Sequence, residues 1–277
     1  MIQNPFPEVS RINLKSSLSP LAVIAVSLLS LLATRNPLPA QPIAVPNSSF
    51  ESPGAPTTYP YVSLSVDSWQ KATKPAYFDY VEQNYGILWD QTTAVFFGPG
   101  SYGNMQGVQA AYLFSFPQVS LSQDYDTTDS SHTTPTHDFN ATFDIGKSYS
   151  LTVGVFGKGF SGNMTEGSML GLSLYYRDGA NLVTIGAPTV ITYTAAGFPV
   201  GGALNLQDYQ VNLPTVQAGD AWAGQHIGIR IESLYGTGDG YWDVDNVRLI
   251  ATVPEPTSLC LLALGGGAFW MRRRSRS

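Results

Sequence analysis

Short runs of strict alternation fill the middle of the sequence. In "SYSLTVGVFG", Tyr149, Leu151, Val153 and Val155 fall on one side, in "MLGLSLYYRDG" Leu170, Leu172, Leu174 and Tyr176 do the same, and "HIGIRIESL" lines up Ile227, Ile229 and Ile231. Successive side chains of an extended chain point to opposite faces, so a period of two marks strands with one buried face. Further strand candidates are "TAVFF", "VQAAYLFSF", "TVITYT", "DYQVNL" and "YWDVDNVRLIA", and Asp178 with Gly179 marks a hairpin turn. Between Gln41 and Val253 there is no long helical pattern and no repeat at propeller or solenoid spacing. Eight or more such strands predict an all-β fold, a two-sheet antiparallel jelly-roll sandwich. The stretch "SQDYDTTDSSHTTPTHD" (Ser122 to Asp138) is polar throughout and reads as a long solvated loop.

The two ends differ from this body. Arg11 and Lys15 precede the apolar run "LAVIAVSLLSLLA" (Leu21 to Ala33), and small residues follow up to Ala40. That order is the pattern of a secretory signal peptide, with cleavage expected after Ala40. A helix of about 13 residues rises only about 20 Å, short of the roughly 30 Å of a hydrocarbon core. At the other end Pro254, Glu255 and Pro256 precede the equally short "LCLLALGGGAFWM" and the basic cluster Arg272, Arg273, Arg274 and Arg276. The prolines stop a strand or helix from running into this segment. If the body is exported, the arginines remain on the cytoplasmic side of the membrane. The expected organisation is a signal peptide over 1–40, a β-sandwich over 41–252, and a tail over 253–277 with a short membrane helix and a basic end.

Charge removes one class of function. Only 12% of the residues are charged, about half the usual roughly 25%. The net charge is -6 and most arginines lie in the terminal segments, so the body is too acidic to attract nucleic-acid phosphates. The single cysteine, Cys260, sits in the C-terminal apolar run, which leaves the body without a disulfide.

The tail resembles the PEP-CTERM sorting signal, in which a Pro-Glu-Pro motif, a short membrane helix and a basic cluster follow one another. The resemblance implies recognition by an exosortase-type membrane enzyme of a Gram-negative-type bacterium, cleavage near the motif, and release or transfer to the cell surface. Membrane contact would then be made through the termini before processing, and an extracellular polysaccharide is an implied partner. The body is similar to galactose-binding-like jelly rolls of carbohydrate-binding modules and to the related exported calcium-dependent cyclases of cyanobacterial indole alkaloid biosynthesis. The likeness is carried by "VPNSSFESP" at its start, "GYWDVDNVRL" at its end, and Trp69 and "GVQAAYL" between them.

If the last strand alternates without interruption, Asp243 and Asp245 share a face with Val247 and Leu249 and point to the core. A buried carboxylate needs hydrogen bonds, a cation or a changed protonation state. Calcium suits carboxylates with backbone carbonyls in a secreted protein. The resemblance implies a structural calcium between Glu51 and Asp245, with Asn47 and Asp243 as further candidates; solvent exposure of Asp243 and backbone hydrogen bonds to Asp245 are the alternative. Asp124, Asp126, Asp129, His132, His137 and Asp138 match neither an EF-hand loop nor a zinc motif. Aromatic residues crowd the first half of the body, and sugar rings lay their C–H faces on such side chains. Trp89 and Tyr85 in "NYGILWDQ" are the first candidates for a glycan platform.

Catalytic patterns are sparse. There is no GxSxG elbow, and the glutamates of the body are scattered rather than paired on one face as glycoside hydrolysis requires. In the resembling cyclases an acid near the closing strand is thought to protonate the substrate, and Asp243 is its counterpart. Three readings follow: a non-catalytic surface or matrix protein that binds glycan and a structural calcium, which the sequence favours; a calcium-dependent cyclase or other small-molecule enzyme; and a structural envelope protein without a ligand.

Overall fold

The computed structural model describes residues 40–59, 61–73, 92–129, 132–159, 163–201 and 203–253. The signal segment up to Pro39, the sorting motif Pro254, Glu255 and Pro256, the arginines Arg272, Arg273 and Arg274, Cys260, and Tyr85 and Trp89 lie outside these residues.

The described chain is all β, as the alternation predicts. In order the strands are β1 (Gln41–Ile43), β2 (Val62–Ser63), β3 (Gln70–Lys71), β4 (Thr93–Phe97), β5 (Gln109–Phe114), β6 (Ser120–Gln123), β7 (Ser148–Gly159), β8 (Met169–Asp178), β9 (Asn181–Thr184), β10 (Thr189–Thr192), β11 (Gln207–Leu213), β12 (Gly228–Tyr235) and β13 (Gly240–Thr252). They form two antiparallel sheets. Sheet A has the order β11-β7-β13-β5-β4-β2, with β1 also on β13; sheet B has the order β10-β8-β12-β6-β3, with β9 on β8. Strands neighbouring in sequence are often apart in the sheets, which is the mark of a jelly-roll sandwich rather than of a meander. The β8–β9 hairpin turns at Gly179, whose φ of 60° a side chain with a Cβ rarely adopts.

The inner faces carry the residues that the alternation selects. Leu151, Val153, Val155, Leu113, Trp242 and Val244 of sheet A join Leu170, Leu172, Leu174, Ile229 and Ile231 of sheet B in one apolar cluster, all of them buried. The long pairing of β7 with β13 runs from Gly159 opposite Gly240 to Ser148 opposite Thr252. It makes these two strands the centre of sheet A, and it is this pair that positions the acids discussed below.

The phase of β13 differs from the expected one. The pairing with β7 shifts between Asp245 and Arg248, and Asn246 has φ 58°. This bulge inserts a residue and inverts the alternation downstream. Asp243 pairs with Phe156 and Asp245 with Gly154, whereas Leu249 pairs with Leu151 of the core. Asp243 and Asp245 therefore point to the outer face of sheet A, opposite to Leu249.

The polar stretch after β6 is also less solvated than its composition suggests. Its first residues, Ser122 and Gln123, end β6. Asp124 is buried and accepts hydrogen bonds from Tyr175 Oη at 2.5 Å and Arg177 Nε at 2.7 Å. Asp129 accepts from Ser68 N at 2.7 Å and from His132 N at 2.7 Å, and the Tyr125 ring is sandwiched between His137 and His226 at 4.0 and 4.1 Å. These contacts tie the loop down and use its acids for folding.

Candidate active site

The outer face of sheet A is covered in part by two loops. Tyr102, between β4 and β5, tilts against Phe156 of β7 with 5.5 Å between centroids, and Phe156 meets Phe198 edge-on at 5.6 Å. The two loops clasp each other: Gly103 N donates to Leu204 O at 2.8 Å, Asn104 Nδ2 to Leu206 O at 2.8 Å, and Leu206 N to Asn104 Oδ1 at 2.8 Å. Asp243 and Asp245 lie beneath this cover with no exposed surface. Burial without a matching number of partners is what distinguishes both from ordinary strand carboxylates.

Asp243 closes the end of a cavity of about 260 Å³ lined by Val62, Phe96, Tyr112, Phe114, Lys158 and Tyr241. All these residues project from the outer face of sheet A, because Tyr112 pairs with Asp243, Phe114 with Tyr241, and Tyr241 with Lys158. The rings form a continuous wall: Tyr112 stacks on Phe114 at 5.4 Å, Tyr241 tilts against Tyr112 at 5.9 Å, and Phe96 meets Tyr112 at 6.5 Å. A single oxygen of Asp243, Oδ2, takes the Tyr102 hydroxyl and faces Lys158 Nζ at 3.2 Å. The other, Oδ1, is buried and has no hydrogen-bond partner among the described residues.

Burial pushes the Asp243 carboxyl up to about 6 despite the opposing pull of Lys158 and Tyr102. Loss of hydration destabilises the charged form more than the lysine restores it. The same burial, with the Asp243 charge, raises Tyr102 and pushes Tyr112 up to about 12. Lys158 is raised because Asp243 and Tyr241 outweigh its own desolvation. At neutral pH the lysine is an ammonium, and the carboxyl lies close enough to its midpoint to carry or release a proton.

A second acidic site lies at the start of β5. Glu51 Oε1 accepts hydrogen bonds from Val108 N at 3.0 Å and Gln109 N at 2.9 Å, while Asp245 Oδ2 accepts from Gln106 N at 2.7 Å. The two carboxylates thus hold one short segment, Gln106 to Gln109. Gly107 between them has φ 84°, and a Cβ there would meet Glu51 Oε1 at 2.4 Å, so the close approach requires glycine. Burial first, and the Glu51 charge after it, push Asp245 up to about 7 against its backbone hydrogen bonds. Asp245 Oδ1 is buried and has no hydrogen-bond partner among the described residues. An unpartnered buried oxygen beside a second carboxylate is the donor chemistry that a hard divalent cation takes. Among the described residues no group of three or more His, Cys, Asp or Glu side chains is placed to hold a metal, so backbone carbonyls would have to complete such a shell.

Of the four metal candidates read from the sequence, Glu51 and Asp245 both accept hydrogen bonds from the segment Gln106 to Gln109. Asn47 is committed elsewhere: its Nδ2 donates to Ser52 O and Asp67 O, both at 2.7 Å, and its Oδ1 accepts from Ser52 N at 3.0 Å. Asp243 turns to Tyr102 and Lys158. Sequence reasoning missed Lys158, Tyr102, Tyr112, Phe114 and Tyr241. One signal was available, a lone lysine near the end of an otherwise apolar strand.

Comparison with known proteins gives two family matches. Residues 41–250 match the HpiC1 cyclase family, and residues 252–276 match the PEP-CTERM protein-sorting motif. The protein is accordingly exported and sorted to the cell envelope or exterior through an exosortase. Among solved structures, a cyclase from Fischerella sp. TAU is similar at 20% identity and a TM-score of 0.49, covering 78% of this chain and 100% of the other. The Stig cyclase Fisc from the same organism, in complex with (3Z)-3-(1-methyl-2-pyrrolidinylidene)-3H-indole, is similar at 21% identity and a TM-score of 0.48, covering 78% and 100%. A family 16 carbohydrate-binding module is similar at 13% identity and a TM-score of 0.32, covering 67% and 92%. No curated protein matches the sequence.

Proposed function

The chain belongs to the HpiC1 cyclase family over residues 41–250, and from that membership we propose that it is an exported small-molecule enzyme in which Asp243 protonates an electron-rich aromatic or olefinic compound. The observation that carries this reading is the Asp243 carboxyl itself: fully buried, at the wall of an aromatic cavity, held near 6, with Oδ1 unpartnered. A general acid works best with its midpoint close to the working pH. Tyr102 and Lys158 both engage Oδ2, which fixes the carboxyl plane at the cavity wall.

The step balances without an oxidant or reductant. The Asp243 O–H bond breaks as a C–H bond forms on the substrate, leaving a carbocation and a carboxylate. The positive charge lies against the faces of Tyr112, Phe114 and Tyr241, where the ring quadrupoles attract it. An internal nucleophile of the same molecule closes the ring, and the proton then lost returns to Asp243, so the net reaction is an isomerisation. The cover of the outer face limits access of the water that would otherwise capture the cation.

Glu51 and Asp245 would hold a calcium ion. Bound there it would supply positive charge to two carboxylates that hold the same short segment. Glu51 and Asp245, kept ionised, would secure Gln106 to Gln109 and with it the loop from which Tyr102 reaches Asp243.

Titration of the purified protein with 2-methylindole, an electron-rich arene, beside a glycan array run with and without chelator, tests this reading. Saturable binding of the arene with no retained sugar is expected. Retention of sugar with no arene binding would overturn it in favour of a lectin-like surface protein.

A further inference from the structure

Among the described residues the cavity holds one cation, and it is placed where a ligand must meet it. Asp243 has no exposed surface, whereas the side chain of Lys158 is 22% exposed, so the acid lies at the back and the ammonium nearer the opening. The ammonium is fixed by Asp243 Oδ2 at 3.2 Å and lies over two rings, 5.5 Å from the centroid of Tyr102 and 5.1 Å from that of Tyr241. A lysine ammonium carries three donors. Asp243 and Tyr241 engage two of them, which leaves one for a ligand. The other described lining residues, Val62, Phe96, Tyr112 and Phe114, carry no charge.

Resting on the reading of this cavity as an arene site, we propose that Lys158 selects its ligand, so that the cavity takes aromatic compounds bearing a carboxylate in preference to those bearing an ammonium. The remaining Lys158 N–H supports this direction. A ligand carboxylate accepts from it at the more exposed side of the cavity, while a ligand ammonium meets a like charge in a partly desolvated site.

Three ligands of one shape separate the effects: indole-3-propanoate, 3-propylindole and tryptamine, each titrated into the purified protein and into Lys158→Met and Lys158→Arg. The native protein is expected to bind the acid about tenfold more tightly than the neutral compound, and the amine more weakly than either. Lys158→Met should lose this order, because it removes both the donor to the carboxylate and the like charge that opposes the ammonium, and Lys158→Arg should retain it. Equal affinity of all three ligands for the native protein, or an unchanged order in Lys158→Met, overturns the inference while leaving the cavity as the arene site. Failure of all three to bind the native protein overturns the reading of the cavity and the inference with it.

Discussion

Replacing Asp243 with asparagine should slow hydrogen–deuterium exchange at C3 of 2-methylindole in heavy water by about 10²- to 10⁴-fold, the usual contribution of a positioned general acid. Exchange reports the proposed proton transfer without the natural substrate. Asp243 delivers a deuteron to C3, the ring becomes a cation, and loss of the original proton restores the arene with a new label. Asparagine keeps the shape and still accepts the Tyr102 hydroxyl, but has no proton to give. Lys158, part-exposed, keeps water as a partner, so arene affinity should change only a few-fold. The native rate should fall about tenfold per pH unit above about 6, because only the protonated carboxyl donates. Equal exchange by the native protein and Asp243→Asn, read from the C3 proton signal, would remove Asp243 from the mechanism.

Calcium is the second large effect. At a concentration 100-fold above its Kd, a ligand that binds only the folded state adds about 2.7 kcal/mol. The melting temperature should therefore rise clearly between chelator and calcium, and this difference should vanish in Glu51→Gln and Asp245→Asn. Gly107→Ala should also abolish it, because the new Cβ would displace the Glu51 carboxylate. In chelator, stability should depend on pH with a definite sign. Native Asp243 and Asp245 hold protons up to about 6 and about 7, against 3.8 for the ordinary group. Stability is then fully present below 3.8, declines as pH rises through that window, and levels off above about 7. Calcium competes with the proton at Asp245 and should flatten the decline. A melting temperature unchanged by calcium at pH 7.5 would remove the metal from the account.

The strands of the two sheets were legible because apolar alternation is a direct consequence of extended geometry. Tyr149 to Val155, Leu170 to Leu174 and Ile227 to Ile231 pack where the pattern puts them. The phase of β13 was not legible. Asn246 adopts a left-handed conformation at a bulge, and one such residue inverts every position after it, so the acids lie on the outer face. That face is buried only because residues distant in sequence, around Tyr102 and Leu206, fold over it. The same long-range cover concealed Lys158 and the aromatic wall, which periodicity assigns to solvent. Glu51 and Asp245 could be paired from family resemblance, since each stands in a short motif; Asn47 stands in the same motif but holds its own turn.

The most direct test of the cavity as the reactive site is the position of a bound arene. Crystals of the protein grown with calcium and soaked with 5-bromoindole should show an anomalous bromine peak among Phe96, Tyr112, Phe114 and Tyr241, with the ring against the Asp243 carboxyl. A bromine peak only at another surface, in crystals whose cavity is open to solvent, would contradict the account.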